Sequence, residues 1–214
     1  DIEDQHEDSI RFIKDCEKAI GKEIKILKSK EYRCVEDCIK VFGGFKDARN
    51  NFAPCTNWLK KRVRKECEYY NRDYELTYVW GFDLKEKNRA DRTVEYNPQA
   101  KHEFPLIEKE LSKEEVHGLF ERTFDFARPW MYEHGYPNNN CVGCIKGGMG
   151  YWNRIRKDFP EVFESRAKLE RMVGHSMLKD RKGAVYLDEL SPDRGDMNTE
   201  VFPDCGIMCY LAQK

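Results

Sequence analysis

Two closely spaced pairs of cysteines are the clearest chemical signal in the sequence. Cys141 and Cys144 are separated by two residues, and Cys205 and Cys209 by three. Each pair has a glycine between its cysteines, which allows a tight turn that brings two sulfur atoms together. Two such turns held side by side would supply four thiolates, the ligand set of structural zinc sites and of iron–sulfur clusters. The spacing therefore predicts one metal site and leaves the choice between zinc and an iron–sulfur cluster open.

The first pair also has two simpler explanations. Free cysteine is among the most buried residue types, so Cys141 and Cys144 could be core thiols. A C-x2-C pair can also form a redox disulfide. The chain has nine cysteines, an odd number, and at 214 residues it is long for a small secreted domain held together by disulfides. We therefore expect a reduced, cytoplasmic protein.

Cys55 differs from the other cysteines because it precedes a basic helix. The segment Ala53–Thr56 places its thiol at the start of a helix predicted over residues 56–70. The positive end of the helix dipole, with Lys60 and Lys61 nearby, is expected to lower the pKa of Cys55. This makes Cys55 the candidate catalytic residue.

Basic residues and glycines indicate where an anion would bind. Lys60 lies on the basic helix, and Arg89 and Arg92 lie in a charged segment after a predicted strand, Leu76–Gly81. Loops at the carboxyl ends of parallel strands are where α/β sheets bind ligands, and Lys and Arg suit phosphate or sulfate. A run of basic residues is equally typical of a solvated helix face. Lys146–Gly150 could form a nest of backbone N–H groups or simply a flexible turn.

The elements that must position these residues alternate between helix and strand. Helices are predicted over residues 9–21, 34–42, 56–70, 112–124 and 151–175, the last interrupted at Pro160. Strands are predicted over residues 23–27, 76–81 and 185–187, an extended piece over 104–107, and loops up to Arg92 and over 129–150. The pattern favours an α/β fold with an open, mainly parallel sheet flanked by helices and an irregular, Cys-rich C-terminal part. We expect an α/β domain over residues 1–128 and a helical, loop-rich part over residues 129–214.

Composition excludes several classes of protein. Lys and Arg number 38 and Asp and Glu 39, for a net charge of −1, so the chain is not a basic nucleic-acid coat. Hydrophobic residues make up 40% of the sequence, enough for a core. No apolar run approaches the ~20 residues that a membrane helix requires. We therefore expect no membrane partner.

Several segments together resemble the phosphoadenosine phosphosulfate (PAPS) reductase family, which belongs to the PP-loop adenine-nucleotide alpha hydrolases. Their order along residues 1–175 carries the resemblance. Ala53–Lys60 is similar to the family's Cys-Thr-x-x-Leu-Lys helix start, and Tyr78–Asp83 with Arg89 and Arg92 to its strand, glycine and arginine-bearing loop. Phe104–Ile107 is similar to its Pro-Leu segment, and Gly135–Cys144 to its Gly-Tyr and Cys segment.

The resemblance implies a PP-loop/HUP-like fold and an enzyme that binds an adenine nucleotide, ATP or PAPS, at the carboxyl edge of its sheet. Lys60, Gly81, Arg89 and Arg92 would hold the nucleotide, the basic residues its phosphate or sulfate, and Cys55 would lie close to the site. The chemistry would be sulfonucleotide reduction or ATP-dependent sulfur or adenylyl transfer.

The sequence also departs from the family pattern. The family's Ser-Gly-Gly-x-Asp-Ser phosphate loop has no counterpart, and Asp1–His6 resembles the end of the strand that follows it. We therefore expect either a fragment or a protein that has lost this loop. Asp83 stands where reductases carry Arg, and Asp204–Gly206 matches their Glu-Cys-Gly tail only in part. These departures weaken the case for sulfonucleotide reduction more than the case for other nucleotide-dependent chemistry.

The alternative to an enzyme is a metal-stapled module that binds nucleic acid or a partner protein. The basic run Lys60–Lys65 favours this class. The balanced net charge disfavours nucleic acid as the partner. A third possibility is an inactive remnant of the fold.

Overall fold

The computed structural model describes residues 1–46 and 53–200, and helices dominate this part of the chain. A π-helical segment, Asn57–Lys61, joins the short helix Pro54–Thr56 to the helix Arg62–Tyr70. The helices are α1 (Asp8–Ile20), α2 (Val35–Phe42), α3 (Pro54–Thr56), α4 (Arg62–Tyr70), α5 (Lys87–Tyr96), α6 (Pro105–Glu108), α7 (Lys113–Thr123), α8 (Trp130–Glu133), α9 (Met149–Asp158) and α10 (Pro160–Val173).

The described strands form two separate pairs. β1 (Thr77–Val79) runs parallel to β2 (Lys101–Glu103), with Thr77 opposite Lys101. β3 (Leu178–Asp180) and β4 (Gly183–Val185) form an antiparallel hairpin. The fold is therefore mixed helix and sheet, and its one described parallel pair is short.

Helix ends follow the signals in the sequence. Gly21, Gly43 and Gly174 end α1, α2 and α10 with left-handed φ angles of 67°, 69° and 69°, a conformation that costs glycine little. At the start of α7, the backbone N–H of Glu115 donates to Ser112 Oγ, and the Glu115 carboxylate accepts from the N–H of Ser112. The predicted capping box is confirmed.

Two predicted extended segments are wrong. Residues 23–27 form no strand; one backbone bond, from the Asp1 amino group to the Leu27 carbonyl, connects them to the start of the chain. A β-branched, apolar run needs a ladder of such bonds to be a strand. Within 104–107, Pro105 occupies the first position of helix α6, where its missing N–H costs nothing.

The predicted charged loop that carries Arg89 and Arg92 is also wrong, because both residues lie on α5. The cause is a second capping box: the Lys85 N–H donates to Asp83 Oδ1, and the Asp83 N–H donates to the Glu86 carboxylate. This cap starts a 3₁₀ turn, Leu84–Glu86, that continues into α5.

The core consists of two hydrophobic clusters. The first cluster surrounds Trp152 and Ile155, which are both fully buried. Its other members lie along the chain between α8 and the segment that follows β4. The second cluster surrounds Cys38 and Ile39 and includes Cys141 and other residues from both sides of position 128. The division into 1–128 and 129–214 stays a prediction.

Within residues 1–46 and 53–200, no helix has the combination of length and apolar character needed to cross a membrane.

Candidate functional site

A cavity of about 530 Å³ opens at the carboxyl ends of the two parallel strands. Gly81 and Asp83, which follow β1, line one wall, and Leu106, which follows β2, lines another. We call it the Gly81 cavity. Its place at the carboxyl ends of parallel strands is where open α/β sheets bind ligands.

The wall that follows β1 is fixed by ion pairing and stacking. Glu86 accepts from the N–H of Asp83 at 3.1 Å and forms an ion pair with Arg89. The Arg89 guanidinium lies 4.2 Å from the centroid of the buried Phe82 ring. A backbone bond of 2.9 Å from Leu84 to the Leu111 carbonyl connects this wall to the segment before α7. The negative charges of this wall therefore already have partners.

One side of the Gly81 cavity is apolar. Phe12 from α1 and Phe120 from α7 line it with their ring centroids 5.7 Å apart. Val116, one turn before Phe120, and Leu106 complete this side. Such a surface suits a flat, weakly polar group.

The lining of the cavity also includes Lys113, His117, Arg128 and Tyr132. Lys113 Nζ donates to the Pro137 carbonyl at 2.5 Å and to Asn138 Oδ1 at 2.7 Å. It also lies 5.4 Å from the centroid of the Tyr132 ring. Lys113 therefore has a defined position rather than a solvated one.

Arg128 is held by two carboxylates. Its Nε lies 2.8 Å from Glu133 and its Nη2 lies 3.2 Å from Glu121. Its side chain is 23% exposed. These pairs fix the guanidinium plane and keep its charge beside the cavity.

His117 lies on the same face of α7 as Lys113, and the charge of Arg128 also acts on it. Its ring packs edge-on against Tyr132 with centroids 4.7 Å apart. Partial burial lowers the pKa of His117, and the charges of Arg128 and Lys113 lower it further. These effects therefore favour the neutral form of the imidazole.

Of the predicted anion-binding residues, only Gly81 lines the Gly81 cavity. Arg89 does not line the cavity but forms an ion pair with Glu86, which does. Arg92 Nε donates to the Asn88 carbonyl on α5 at 3.2 Å. Lys60 lies elsewhere, in the π-helical segment. There it acts on the Asp1 amino group, whose pKa is lowered mainly by burial and further by the charges of Lys28 and Lys60. The structure does not bring these four residues together around this cavity, and their roles stay predictions.

Cys55 lies in the first turn of the basic helix, as predicted, but its side chain faces the core. It is 7% exposed and belongs to the second core cluster with Cys38. Burial raises the pKa of Cys38, and the neighbouring Cys55 raises it further. A catalytic role for Cys55 stays a prediction.

Residues 141–144 form a buried turn, which we call the Cys141 turn. Its middle residue Gly143 has a φ angle of 69°, and a Cβ there would lie 2.5 Å from Val162 Cγ1. The N–H of Cys144 donates to the hydroxyl of the buried Tyr151 at 2.9 Å, and that hydroxyl donates to the Cys141 carbonyl at 3.3 Å. The predicted tight turn is confirmed, and glycine is required in it.

A metal site at this turn stays a prediction. Cys141 and Cys144 are buried, with exposed fractions of 7% and 4%, and the redox disulfide also stays a prediction. Cys205 and Cys209 lie outside the described residues. Among residues 1–46 and 53–200, no group of three or more Cys, His, Asp or Glu side chains is placed to bind a metal ion.

The glycine-rich segment Lys146–Gly150 binds an anion that belongs to the chain itself. The Glu200 carboxylate accepts from the N–H groups of Gly150 at 2.6 Å and Tyr151 at 3.1 Å, at the start of α9. A Cβ at Gly150 would lie 2.3 Å from the backbone nitrogen of Met197. The glycine therefore permits close packing of residues 195–200, and the N–H groups are capped internally.

Sequence reasoning missed the cationic side of the Gly81 cavity. Lys113 and His117 are spaced four residues apart on α7, which places them on one helix face, and this spacing was available in the sequence. Nothing in the sequence near Arg128 and Tyr132 indicated that they would join that face, because the arrangement depends on how the segment after α7 folds back.

The fold and the cavity define a mixed helix-and-sheet protein with a partly cationic cleft at the end of a parallel strand pair. No family model, no curated protein and no solved structure matches the chain.

Proposed function

We propose that the protein is a PAPS-reductase-like enzyme that binds an adenine nucleotide, ATP or PAPS, in the Gly81 cavity. The observation that carries the proposal is the cavity's position at the carboxyl ends of β1 and β2, with both aromatic and cationic side chains in its lining. The PP-loop/HUP-like fold that the sequence resembles is part of this proposal.

The two sides of the cavity fit the two halves of a nucleotide. Phe12 and Phe120 offer aromatic surface for a purine base, which is flat and polarizable. Lys113 and Arg128 offer charge for its phosphate or sulfate. The volume of about 530 Å³ lies within the range of roughly 300–1,000 Å³ of small-molecule sites.

The reaction would be sulfonucleotide reduction or ATP-dependent sulfur or adenylyl transfer. Cys55 would be the reacting thiol in the first case, and its burial requires that the second core cluster open to admit a substrate. Adenylyl transfer needs no reacting thiol of the protein, so the burial of Cys55 favours it.

Titration calorimetry with ATP, adenosine phosphosulfate and PAPS tests the proposal. We expect binding of at least one of them, and a loss of about tenfold or more in affinity for Lys113→Met, because a charge-assisted contact contributes ~1.5–3 kcal/mol. Lys179→Met is the matched control, since Lys179 is exposed on β3, outside the cavity. Absence of heat with all three nucleotides would overturn the proposal.

We also propose that the Cys141 turn contributes two thiolates to a zinc site or an iron–sulfur cluster, completed by Cys205 and Cys209. The position of Glu200 supports this proposal, because its carboxylate caps the start of α9, and α9 begins only a few residues after Cys144. Cys205 follows Glu200 by five residues, and a chain spans at most about 3.5 Å per residue. The second pair is therefore within reach of the first.

Metal analysis of anaerobically purified protein, with a visible absorption spectrum, tests this site. We expect either zinc in a colourless protein or iron with a broad absorption band at about 400 nm. Cys144→Ser should lower the metal content, whereas Cys16→Ser, on α1, should not. A protein without metal before and after reconstitution would contradict the site.

A non-enzymatic binding module remains the alternative, with single-stranded nucleic acid as partner. Tyr69, Tyr70 and Tyr74, at the end of the basic helix, are 62%, 68% and 73% exposed. Exposed aromatic rings among basic residues are typical of surfaces that stack nucleobases. An electrophoretic shift that weakens steeply with salt would favour this class, and no shift at low salt would exclude it.

A further inference from the structure

Three side chains converge at the cationic end of the Gly81 cavity. Lys113 and His117 come from one face of α7, and Arg128 comes from the segment that follows it. We propose that this end binds a tetrahedral oxyanion, the sulfate or phosphate of the substrate, and that His117 takes up a proton as the anion binds. The inference rests on the proposed function and names the substrate group that this end of the site recognises.

Both cations retain donors for a ligand. Lys113 Nζ carries three N–H bonds, and its contacts to Pro137 and Asn138 account for two of them. Among the described residues, the ion pairs of Arg128 involve Nε and Nη2, so its Nη1 can donate to an oxyanion. A guanidinium and an ammonium group together match the geometry of sulfate or phosphate.

His117 supplies the proton-dependent part of the site. The charged groups that act on it are Lys113, Glu114 and Glu121 on its own helix and Arg128 beyond it, and the Tyr132 ring packs against it. The two cations face the cavity, where they oppose a third positive charge. An oxyanion placed between them reverses this field and favours the imidazolium form.

The step involves one proton and no covalent change. The proton comes from solvent or buffer and is bound by a ring nitrogen of His117 when the anion enters. It returns to solvent when the anion leaves. Binding must therefore strengthen as the pH falls, because a site that gains a proton on binding is favoured by a higher proton concentration.

Sulfate is the best first probe, because it does not titrate near neutral pH and any proton taken up must go to the protein. Calorimetry in two buffers of different ionisation enthalpy measures that proton. We expect net uptake by the wild type at about pH 7 and weaker sulfate binding at about pH 8. His117→Gln should bind sulfate without uptake, and His175→Gln, an exposed histidine outside the cavity, should behave as the wild type.

NMR titration of the wild-type imidazoles gives a readout that needs no variant. The pKa of His117 should rise on addition of sulfate, and the other histidines should not change. An unchanged pKa of His117 with sulfate bound would overturn the inference. So would proton uptake that persists in a folded His117→Gln variant.

The same calorimetry with nucleotides in place of sulfate distinguishes this inference from the proposed function. If adenosine phosphosulfate or ATP binds without proton uptake, the inference about His117 fails and the nucleotide site stands. If sulfate binds with uptake but no nucleotide binds, the oxyanion site stands and the nucleotide proposal fails. If adenosine phosphosulfate binds with uptake and adenosine binds without it, both are supported.

Discussion

Single polar residues with little exposure connect distant parts of the chain, and Asp4 is the clearest of them. Its carboxylate pairs with Arg166 and accepts the N–H of Val35 at 2.6 Å, and its carbonyl accepts the N–H of Val142 at 2.7 Å. Asp4 thereby connects α10, the start of α2 and the Cys141 turn. The Asp4 and Arg166 side chains are 10% and 5% exposed, so neither is well solvated.

We expect Arg166→Met to lower the free energy of unfolding by about 3 kcal/mol, because it leaves the Asp4 carboxylate buried without its cation. The double variant Asp4→Asn/Arg166→Met should recover part of this loss. Urea unfolding followed by circular dichroism measures both. If Arg166→Met alone were neutral, the pair would not be the connection that the structure indicates.

His117 links stability to pH. Its folded-state pKa is lowered, so between the folded and unfolded pKa values the unfolded chain binds the proton more readily. The free energy of unfolding should therefore fall as the pH drops below about 6.5. His117→Gln should reduce this slope in unfolding measurements at constant salt. An identical slope in the variant would show that His117 does not carry the effect.

At the scale of elements, residues 195–200 are packed against the start of α9 so closely that only glycine fits at Gly150. An added methyl group would lie 2.3 Å from the backbone of Met197, and backbone cannot move aside as a side-chain tip can.

Gly150→Ala should therefore lower the free energy of unfolding by about 1–3 kcal/mol. Gly44→Ala is the control, because its nearest contact would be 3.4 Å from a His175 side-chain atom. Thermal unfolding of both variants measures the difference. Equal stability of Gly150→Ala and the wild type would contradict the close packing.

Elements with strong local signals were predictable. α1, α2 and α10 follow their apolar periodicity and end at glycines, and Ser112 fixes the start of α7. Elements that depend on distant partners were not. β2 has the polar sequence Lys-His-Glu and becomes a strand because β1 lies beside it.

The candidate site was predictable only in part, for the same reason. Gly81 is identifiable because it ends a recognisable strand and matches the glycine of the family pattern that the sequence resembles, and the structure places it in the cavity wall. Arg128 and His117 meet through the folding of the chain after α7, which no local pattern specifies. The predicted partners Arg89 and Arg92 fall on α5 because the Asp83 cap starts a helix there.

At the scale of the whole molecule, a net charge of −1 conceals local separation of charge. Cations contribute to the lining of the Gly81 cavity, while several other basic residues pair on helix surfaces, as Lys40 does with Glu36 at 2.7 Å. Such surface pairs contribute little to stability. We expect the cations of the Gly81 cavity to be the ones that bind a substrate.

The central claim is that an adenine nucleotide binds in the Gly81 cavity, and NMR mapping on isotope-labelled protein tests it most directly. On titration with ATP or PAPS, we expect the largest backbone shift changes at Gly81, Lys113, His117 and Arg128. Shift changes centred on the start of α9 or on the Cys141 turn, or none with either nucleotide, would contradict the claim.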